Sequence, residues 1–437
     1  MIYMDHAATT AVSKSVREAM LPYFSEDYGN PSSLYLFAQK AKKAVEDSRR
    51  SIAGLLGVNP REVYFTSGGT EADNWAILSA FYSAMGKKSS LSGSDAEQMS
   101  SLSGSEAEQK SSLSGSEVEQ MSSLSGSEVA GSEVAGQKQR QPHIICSAIE
   151  HHAILESCKF AESLGARVSR IPVDSEGFLD LEALEQAITE DTVLISVMAA
   201  NNEMGTIQNL RAIGEIAKKH GVLFHTDAVQ AFGQIPLSFS EMGIDLLSAS
   251  AHKLHGPKGI GLLVIRKGVR LPSFLHGGAQ ERGFRAGTEN VPAIVGFAKA
   301  AEEAFATMAE REKRKRELQK LFFRRLLKEV PGMQITGVNP LEASEENRLS
   351  GNVHICIEGI EAESLLLLLD QKGICASAGS ACASGSVEPS HVLLAMGKSH
   401  VEAYSGLRIS FEEDLKEEDL EFTVEAIREG VERLRRE

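Results

Sequence analysis

The chain has 437 residues, 42% of them hydrophobic and 24% charged, enough to bury a substantial core in two or more domains. Its formal net charge of −15 disfavours nucleic acid as a direct partner, because phosphate repels an acidic surface. The opening Met-Ile-Tyr-Met-Asp-His-Ala-Ala-Thr-Thr has no basic stretch leading into an apolar one, and no run of about eighteen apolar residues occurs, so neither secretion nor membrane spanning is expected.

In chain order, Arg61 to Thr66 reads as a buried strand that runs into the turn Thr66-Ser67-Gly68-Gly69-Thr70, and Glu71 to Met85 as the helix after it. Such a turn offers N–H groups, hydroxyls and a positive dipole end to an anion such as phosphate. On its own it is weak evidence, since any strand-to-helix turn uses Gly and Thr. Neither G-x-x-x-x-G-K-[ST] nor G-x-G-x-x-G occurs, which makes a nucleotide a poor choice of anion. Residues 87–140 form a low-complexity insertion in which Leu91, Leu102, Leu113 and Leu124 recur at a period of 11. Between Ser89 and Gly136 there are eight acidic residues and one Lys, so −7 of the net charge belongs there. One Leu per repeat is too little apolar surface to offset chain entropy, and a disordered surface insertion is expected rather than a right-handed supercoil.

Beyond the insertion, apolar runs at His143 to Ile149, Val193 to Met198, Val222 to Thr226 and Leu246 to Ser250 alternate with helical patterns at Ile154 to Leu164, Leu181 to Ile188 and Leu210 to His220. The pattern predicts an α/β fold with a mainly parallel sheet covered by helices on both faces. In such sheets ligands collect at the carboxyl ends of strands. The polar groups expected there are Glu150-His151-His152, Asn201-Asn202-Glu203, Asp227-Ala228-Val229-Gln230 and Ser250-Ala251-His252-Lys253. Asp227, at the end of a buried strand, needs a cationic partner. Lys253 ends the next strand, where partial desolvation lowers a lysine's pKa and lets it attack a carbonyl to form a Schiff base. Pyridoxal 5′-phosphate uses both groups, the amine at its aldehyde and the carboxylate at its ring nitrogen. Taken singly, Asp227 also reads as a helix cap, Lys253 as a solvated loop residue and His151 as a satisfied surface histidine. Lys258, in Gly-Pro-Lys-Gly, is a rival amine in a turn beyond the strand end.

From about Ala300 the pattern changes to a long charged helix ending at Pro331-Gly332, a strand at Asn352 to Ile357, a helix at Glu361 to Gln371, a strand at Leu407 to Phe411 and a terminal helix. The expected division is a large domain over 15–305, interrupted by the insertion, and a smaller α+β domain from 1–14 and 306–437. The run Lys313-Arg314-Lys315-Arg316 is interleaved with Glu310, Glu312 and Glu317 and reads as a solvated helix face. Five cysteines without a C-x-x-C pair argue against disulfides and zinc and fit a reducing cytoplasm. Cys382, flanked by small residues in the loop 377–389, suits a mobile, reactive position. Cys146, Cys356 and Cys375 lie in apolar runs and read as buried and inert. Pro389 is expected to open a helix that Gly397 closes.

Thr-Ser-Gly-Gly-Thr-Glu-Ala-Asp-Asn, Ala-Asn-Asn-Glu-Met-Gly, His-Thr-Asp-Ala-Val-Gln, Ser-Ala-His-Lys-Leu-His-Gly-Pro-Lys-Gly and Gly-Ser-Ala-Cys-Ala-Ser-Gly occur together and in order. With them the chain resembles a group I cysteine desulfurase, the nitrogenase and iron-sulfur-cluster type, from Asp5 to Phe411. The resemblance implies a fold-type I enzyme that takes sulfur from L-cysteine, leaving alanine and a persulfide on Cys382. It implies that Lys253 holds pyridoxal phosphate and deprotonates the substrate's Cα, that Asp227 pairs with the ring nitrogen, Gln230 contacts the phenolic oxygen, and His151 stacks on the ring and moves protons. Gly69, Thr70, Ser250 and His252 would bind the phosphate, Asn202 would lie beside ring and substrate, and Arg408 would grip the substrate carboxylate. Within Arg282 to Thr288 the pattern sends Thr288 to the phosphate of a second subunit, so a homodimer is implied, with an iron-sulfur scaffold or tRNA-thiolation protein as sulfur acceptor. Gly69 stands where Ala is frequent, and Ala381 and Ala383 flank the thiol where relatives often carry other small residues; neither departure removes a functional group. A selenocysteine lyase, an aminotransferase of the same fold, a non-catalytic scaffold and a cofactor-free thiol or metal protein are the competing readings.

Overall fold

A computed structural model describes residues 1–89, 141–342, 347–378 and 388–436. The expectations for the insertion and for Cys382 therefore fall outside the described residues, apart from residues 87–89 at the start of the insertion. Among the described residues the strands are β1 (Ile2–Tyr3), β2 (Val63–Thr66), β3 (His143–Ser147), β4 (Arg167–Ile171), β5 (Thr192–Ser196), β6 (Leu223–Asp227), β7 (Leu246–Ser250) and β8 (Gly261–Ile265). Then follow β9 (Met333–Ile335), β10 (Asn352–Ile357), β11 (Ile374–Cys375), β12 (Ser377–Ala378) and β13 (Gly406–Ser410).

A seven-stranded sheet in the order β2-β8-β7-β6-β5-β3-β4 forms the larger layer. Every pairing among β7, β6, β5, β3 and β4 is parallel, as the alternation predicts, while β8 runs antiparallel to both of its neighbours. The connection from β7 to β8 holds only a 3-10 turn at Ala251–Lys253, and without a crossover helix the chain must come back antiparallel. The strands read as unbroken apolar runs because both faces are covered, and successive residues serve opposite cores. Phe65, Ile145, Ile195, Leu247 and Leu262 pack into one cluster. Tyr64, Ile144, Leu194, Leu246 and Leu263 pack into the other, with the helices Gly69–Ser89 and His152–Ser163. The helix Leu210–His220 ends where expected, on Gly221 at φ 68°.

A second, four-stranded antiparallel sheet, β12-β13-β10-β9, packs against the helices Met308–Glu329, Ala362–Gln371 and Glu417–Leu434 around Phe322, Ile355, Leu365, Leu407 and Ile427. Met4 joins this core because β1 pairs in parallel with β11, Ile2 opposite Ile374 and Tyr3 opposite Cys375.

Several expectations need correction. The long charged helix is two helices, Val291–Ala306 and Met308–Glu329, broken at Thr307 (φ −112°, ψ 6°). The Lys313–Arg316 run is only half solvated. Helical periodicity turns Arg311, Lys315, Arg316 and Gln319 inward, where Lys315 faces Glu412 at 3.2 Å and Arg316 donates to the Arg348 carbonyl at 2.8 Å. Pro389 precedes the helix His391–Ala395 rather than opening it, and Ser390 is the cap. Cys146 and Cys356 are buried as expected, but Cys375 is only partly buried, at the end of a two-residue strand.

Candidate active site

The strand registers bring six carboxyl ends to one edge. Thr66 and Ser250 both pair with Gly261 at the start of β8, so β2 and β7 finish side by side, and Asp227 finishes β6 next to them. Gly261 is required there: a Cβ on it would lie 2.6 Å from the Gly68 carbonyl carbon, so a side chain would push the Gly68–Thr70 turn away from the edge.

A cavity of about 210 Å³ opens at this edge. Its wall contains Gly69, Thr70, His151, Asn202, Asp227, Gln230, Ser250, His252, Lys253 and Arg408, ten positions singled out from sequence. Ala7, Ala8, Asp73, Met198, Ala200 and Val229 complete it. Lys258, the rival amine, is exposed and lies in the adjoining cavity with Gly69, Thr70, Ser250 and His252.

Lys253 Nζ donates to the Ala7 carbonyl at 2.5 Å and the Ala8 carbonyl at 2.7 Å. The same strip takes a hydrogen bond from Gln230 Nε2 to the Ala7 carbonyl at 3.0 Å and places Thr9 Oγ1 at 3.2 Å from His252 Nδ1. Asp227 is buried, accepts from the Val229 N–H at 2.8 Å, and has its carboxyl pushed up to about 6 by burial, against the pull of that N–H and of Lys253. Beside it Asp73 is also buried, raised well above the usual carboxylate range by burial and by the Asp227 charge, with no hydrogen-bond partner for Oδ1 among the described residues. Burial and the neighbouring carboxyl thus disfavour a second negative charge here, and a cation placed beside Asp227 would favour its charged form.

His151 caps the helix His152–Ser163, its Nδ1 accepting the Ala153 N–H at 3.1 Å, which leaves its proton on Nε2. Burial first, and then the charge of Lys253, hold it at about 4, so it is neutral near pH 7. Arg408, on β13, donates to Asp5 Oδ1 at 2.9 Å and to the Asn202 carbonyl at 3.0 Å, while its buried Nε–H has no partner among the described residues.

The Gly69–Thr70 backbone starts a 21-residue helix, and a Cβ on Gly69 would lie 2.6 Å from Val229 Cγ2, so glycine lets Val229 close on the turn. Glu71 ties this turn to the segment holding Thr288: it accepts the Ser67 N–H at 2.8 Å and a two-pronged contact from Arg285 at 2.7 and 2.9 Å. Thr288 does not reach the main cavity. It lines a separate one with Ser67, Arg285 and Glu289. Sequence reasoning missed Asp5, Ala7, Ala8 and Asp73. Three of these lie in the opening Asp-His-Ala-Ala and one in Glu-Ala-Asp-Asn, so only the order of the motifs pointed to them.

The aminotransferase class-V family model matches residues 2–125 and 122–422. A cysteine desulfurase IscS of Methanosarcina thermophila is 43% identical over 434 residues, covering 99% of this chain and 93% of that protein. The chain belongs to the aminotransferase class-V family, among its cysteine desulfurases. A Clostridium botulinum cysteine desulfurase IscS of this family is 42% identical over 98% of the chain and 93% of its own length. Among solved members, a NifS-like protein superposes with a TM-score of 0.79 at 34% identity over 99% of both chains. SspA in complex with cysteine superposes at 0.72 with 31% identity, over 94% of this chain and 99% of that one. Members of the family use pyridoxal 5′-phosphate, and the residues present fit it: a lysine, a buried acid that needs a cation, and hydroxyl and N–H donors at a helix start.

Proposed function

We infer that the protein is a pyridoxal-phosphate-dependent cysteine desulfurase that takes sulfur from L-cysteine, releases L-alanine and holds the sulfur as a persulfide on Cys382. The observation that carries this is the convergence of Lys253, Asp227 and the donors of Gly69, Thr70, Ser250 and His252 on one cavity in a chain of this family.

When bound, the cofactor supplies a protonated ring that withdraws electron density from the substrate's Cα. Lys253 Nζ would hold its aldehyde carbon and carry the Cα proton. Asp227 would keep the proton on the ring nitrogen, Gln230 would contact the phenolic oxygen, and Gly69, Thr70, Ser250 and His252 would bind the phosphate. Asn202 would border ring and substrate. Arg408, fixed by Asp5, has a buried Nε–H still to be satisfied, which suits a substrate carboxylate. The Cys382 thiolate attacks the substrate Sγ: the S–S bond forms, the Cβ–S bond breaks, and a proton delivered to Cβ completes alanine. His151, neutral and protonated on Nε2, is assigned stacking on the ring and the proton traffic.

Thr288, tied by its segment to the phosphate turn, is assigned to the phosphate of a second copy, which makes the working form a homodimer. The sulfur acceptor is an iron-sulfur scaffold or a tRNA-thiolation protein in the cytoplasm; among the described residues no helix is long and apolar enough to cross a membrane. The chain divides into a large lobe over 15–305 and a small one from 1–14 and 306–437, supported by the separate core that joins Met4 to residues 318–431.

Purified protein loaded with pyridoxal phosphate should convert L-cysteine, in the presence of a reductant, into equal amounts of alanine and sulfide. Absence of alanine, or failure to retain the cofactor, would overturn the assignment.

A further inference from the structure

Four polar residues near the cavity take no part in the chemistry above: Glu150, Glu203, Ser390 and His391. Ser390 Oγ donates to the buried Glu203 carboxylate at 2.5 Å. His391 Nε2 lies 3.0 Å from the Glu150 main-chain carbonyl, a contact in which nitrogen must donate. Glu203 follows Asn202 and Glu150 precedes His151, so each hydrogen bond ends one residue away from a cavity wall. Both recipients are themselves fixed. Asn352 Nδ2 donates to the Glu203 carbonyl at 2.8 Å, and Glu150 Oε1 accepts from Ser147 Oγ at 2.5 Å and from the Met198 N–H at 2.8 Å.

Along the chain, Cys382 lies four residues after Ala378 and eight before Ser390. The first of these roots is already tied to the site, since Ser377 pairs with Arg408 across β12 and β13. We propose that Ser390 and His391 form a two-pronged anchor that fixes the second root of the Cys382 segment to the Asn202–Glu203 and Glu150–His151 turns, and that these two are positioning residues for the transfer of sulfur to Cys382. The inference rests on the assignment of Cys382 as the sulfur acceptor in the reaction above.

Helix capping explains part of this arrangement but not all of it. Ser390 Oγ accepts the Leu393 N–H at 3.2 Å, and a cap needs only that acceptor. A donor aimed at the buried Glu203 carboxyl, which burial raises above its usual range, is a separate contact. Tether length alone is also a weak effect. Freeing a few more residues at the root changes the chance of end-to-end encounter by less than about 2-fold. Leaving a buried carboxyl or carbonyl oxygen without its donor is expected to change the rate by about 10-fold or more.

The test uses the cofactor-loaded protein with Ser390→Ala and His391→Phe, and with Ser390→Thr and His391→Gln as variants that keep a donor. Three quantities are read: the cofactor absorbance change on mixing with L-cysteine, the rate of persulfide formation on Cys382 by mass spectrometry, and the alkylation rate of Cys382 by iodoacetamide without substrate. The expected result is an absorbance change within about 2-fold of the parent, a persulfide rate lower by about 10-fold or more, an altered alkylation rate, and recovery in the donor-keeping variants. A persulfide rate within about 2-fold of the parent, or equal loss of absorbance change and persulfide rate, overturns the anchor. If the parent itself forms no persulfide on Cys382, the assignment of that residue fails, and the alkylation rates alone decide whether the anchor holds the segment.

Discussion

Asp227→Asn separates the charge of the buried acid from its shape. The amide keeps an oxygen for the Val229 N–H, which lies 2.8 Å from the carboxylate. Burial raises the Asp227 carboxyl from an ordinary 3.8 to about 6. Because the folded chain binds this proton more tightly than the unfolded one, ionisation of Asp227 destabilises the fold. The penalty is absent below about pH 3.8, grows up to about pH 6 and is constant above it. At about 1.4 kcal/mol per tenfold change in proton affinity, the full penalty is about 3 kcal/mol, and it falls to about 1 kcal/mol near pH 4.5. Urea unfolding of the apoprotein at about pH 7.5 should therefore show Asp227→Asn to be more stable by up to about 3 kcal/mol, with the gain shrinking as the pH is lowered. Activity should move the other way. Removing one partner of a buried ion pair costs about 3–5 kcal/mol, which is about 10²- to 10⁴-fold in alanine production. An apoprotein variant no more stable than the parent at pH 7.5 would refute the desolvation argument, and full activity would refute the pairing with the ring.

Three further outcomes are expected. Cys382→Ser should keep the cofactor absorbance and lose sulfide release, measured with L-cysteine and a reductant; unchanged sulfide release would remove the residue from the mechanism. Arg49 is buried and makes a two-pronged contact with the buried Glu281 at 2.7 and 2.9 Å, so Arg49→Met should cost about 3–5 kcal/mol in urea unfolding, against the fraction expected for an exposed pair. His225 is buried between Ser196 Oγ and Ser248 Oγ, and burial lowers it from 6.5 to about 3. Its contribution to stability is present above about pH 6.5 and is lost toward pH 3, by about 1.4 kcal/mol per pH unit. Melting temperatures between about pH 6.5 and 4.5 should fall less steeply in His225→Gln than in the parent.

The parts of the fold legible in the sequence were those in which one physical cause dominates. β7 and the helix Leu210–His220 fall where expected because an unbroken apolar run and an amphipathic run closed by Gly221 leave few alternatives. The orientation of β8 was not legible, since it depends on what the ten residues after Ser250 fail to form, not on the strand itself. Burial of Lys315 and Arg316 was misread because charge pattern reports the face that cations prefer, whereas Glu412 and the Arg348 carbonyl, distant in sequence, supply partners in the interior. In the site, nine of the ten positions were legible because they follow a strand end or lie in its turn, whereas Arg408, inside β13, was singled out only by the resemblance. Ala7 and Ala8 act through main-chain carbonyls, which every residue has, and their identity gives no sign of it.

That opening strip does more than line a wall. Through Ala7 and Ala8 it holds the Lys253 amine and the Gln230 amide, and through Asp5 it holds the Arg408 guanidinium. It is itself hung from β11 and β13: the Met4 N–H donates to the Cys375 carbonyl at 2.9 Å, and the Ser410 N–H donates to the Met4 carbonyl at 2.9 Å. Cys375 ends β11, from which the chain passes through β12 toward Cys382. The amine that would hold the cofactor, the guanidinium that would orient the substrate and one root of the segment bearing the thiol are therefore attached to one length of backbone. The strip thus ties the sheet that precedes Lys253 to the sheet that carries Arg408. A reaction that needs proton removal at Cα and attack at Sγ in a single bound pose is served by that tie, since Asp5 and Gln230 keep the guanidinium and the Ala7 carbonyl in place when the Lys253 amine is engaged elsewhere.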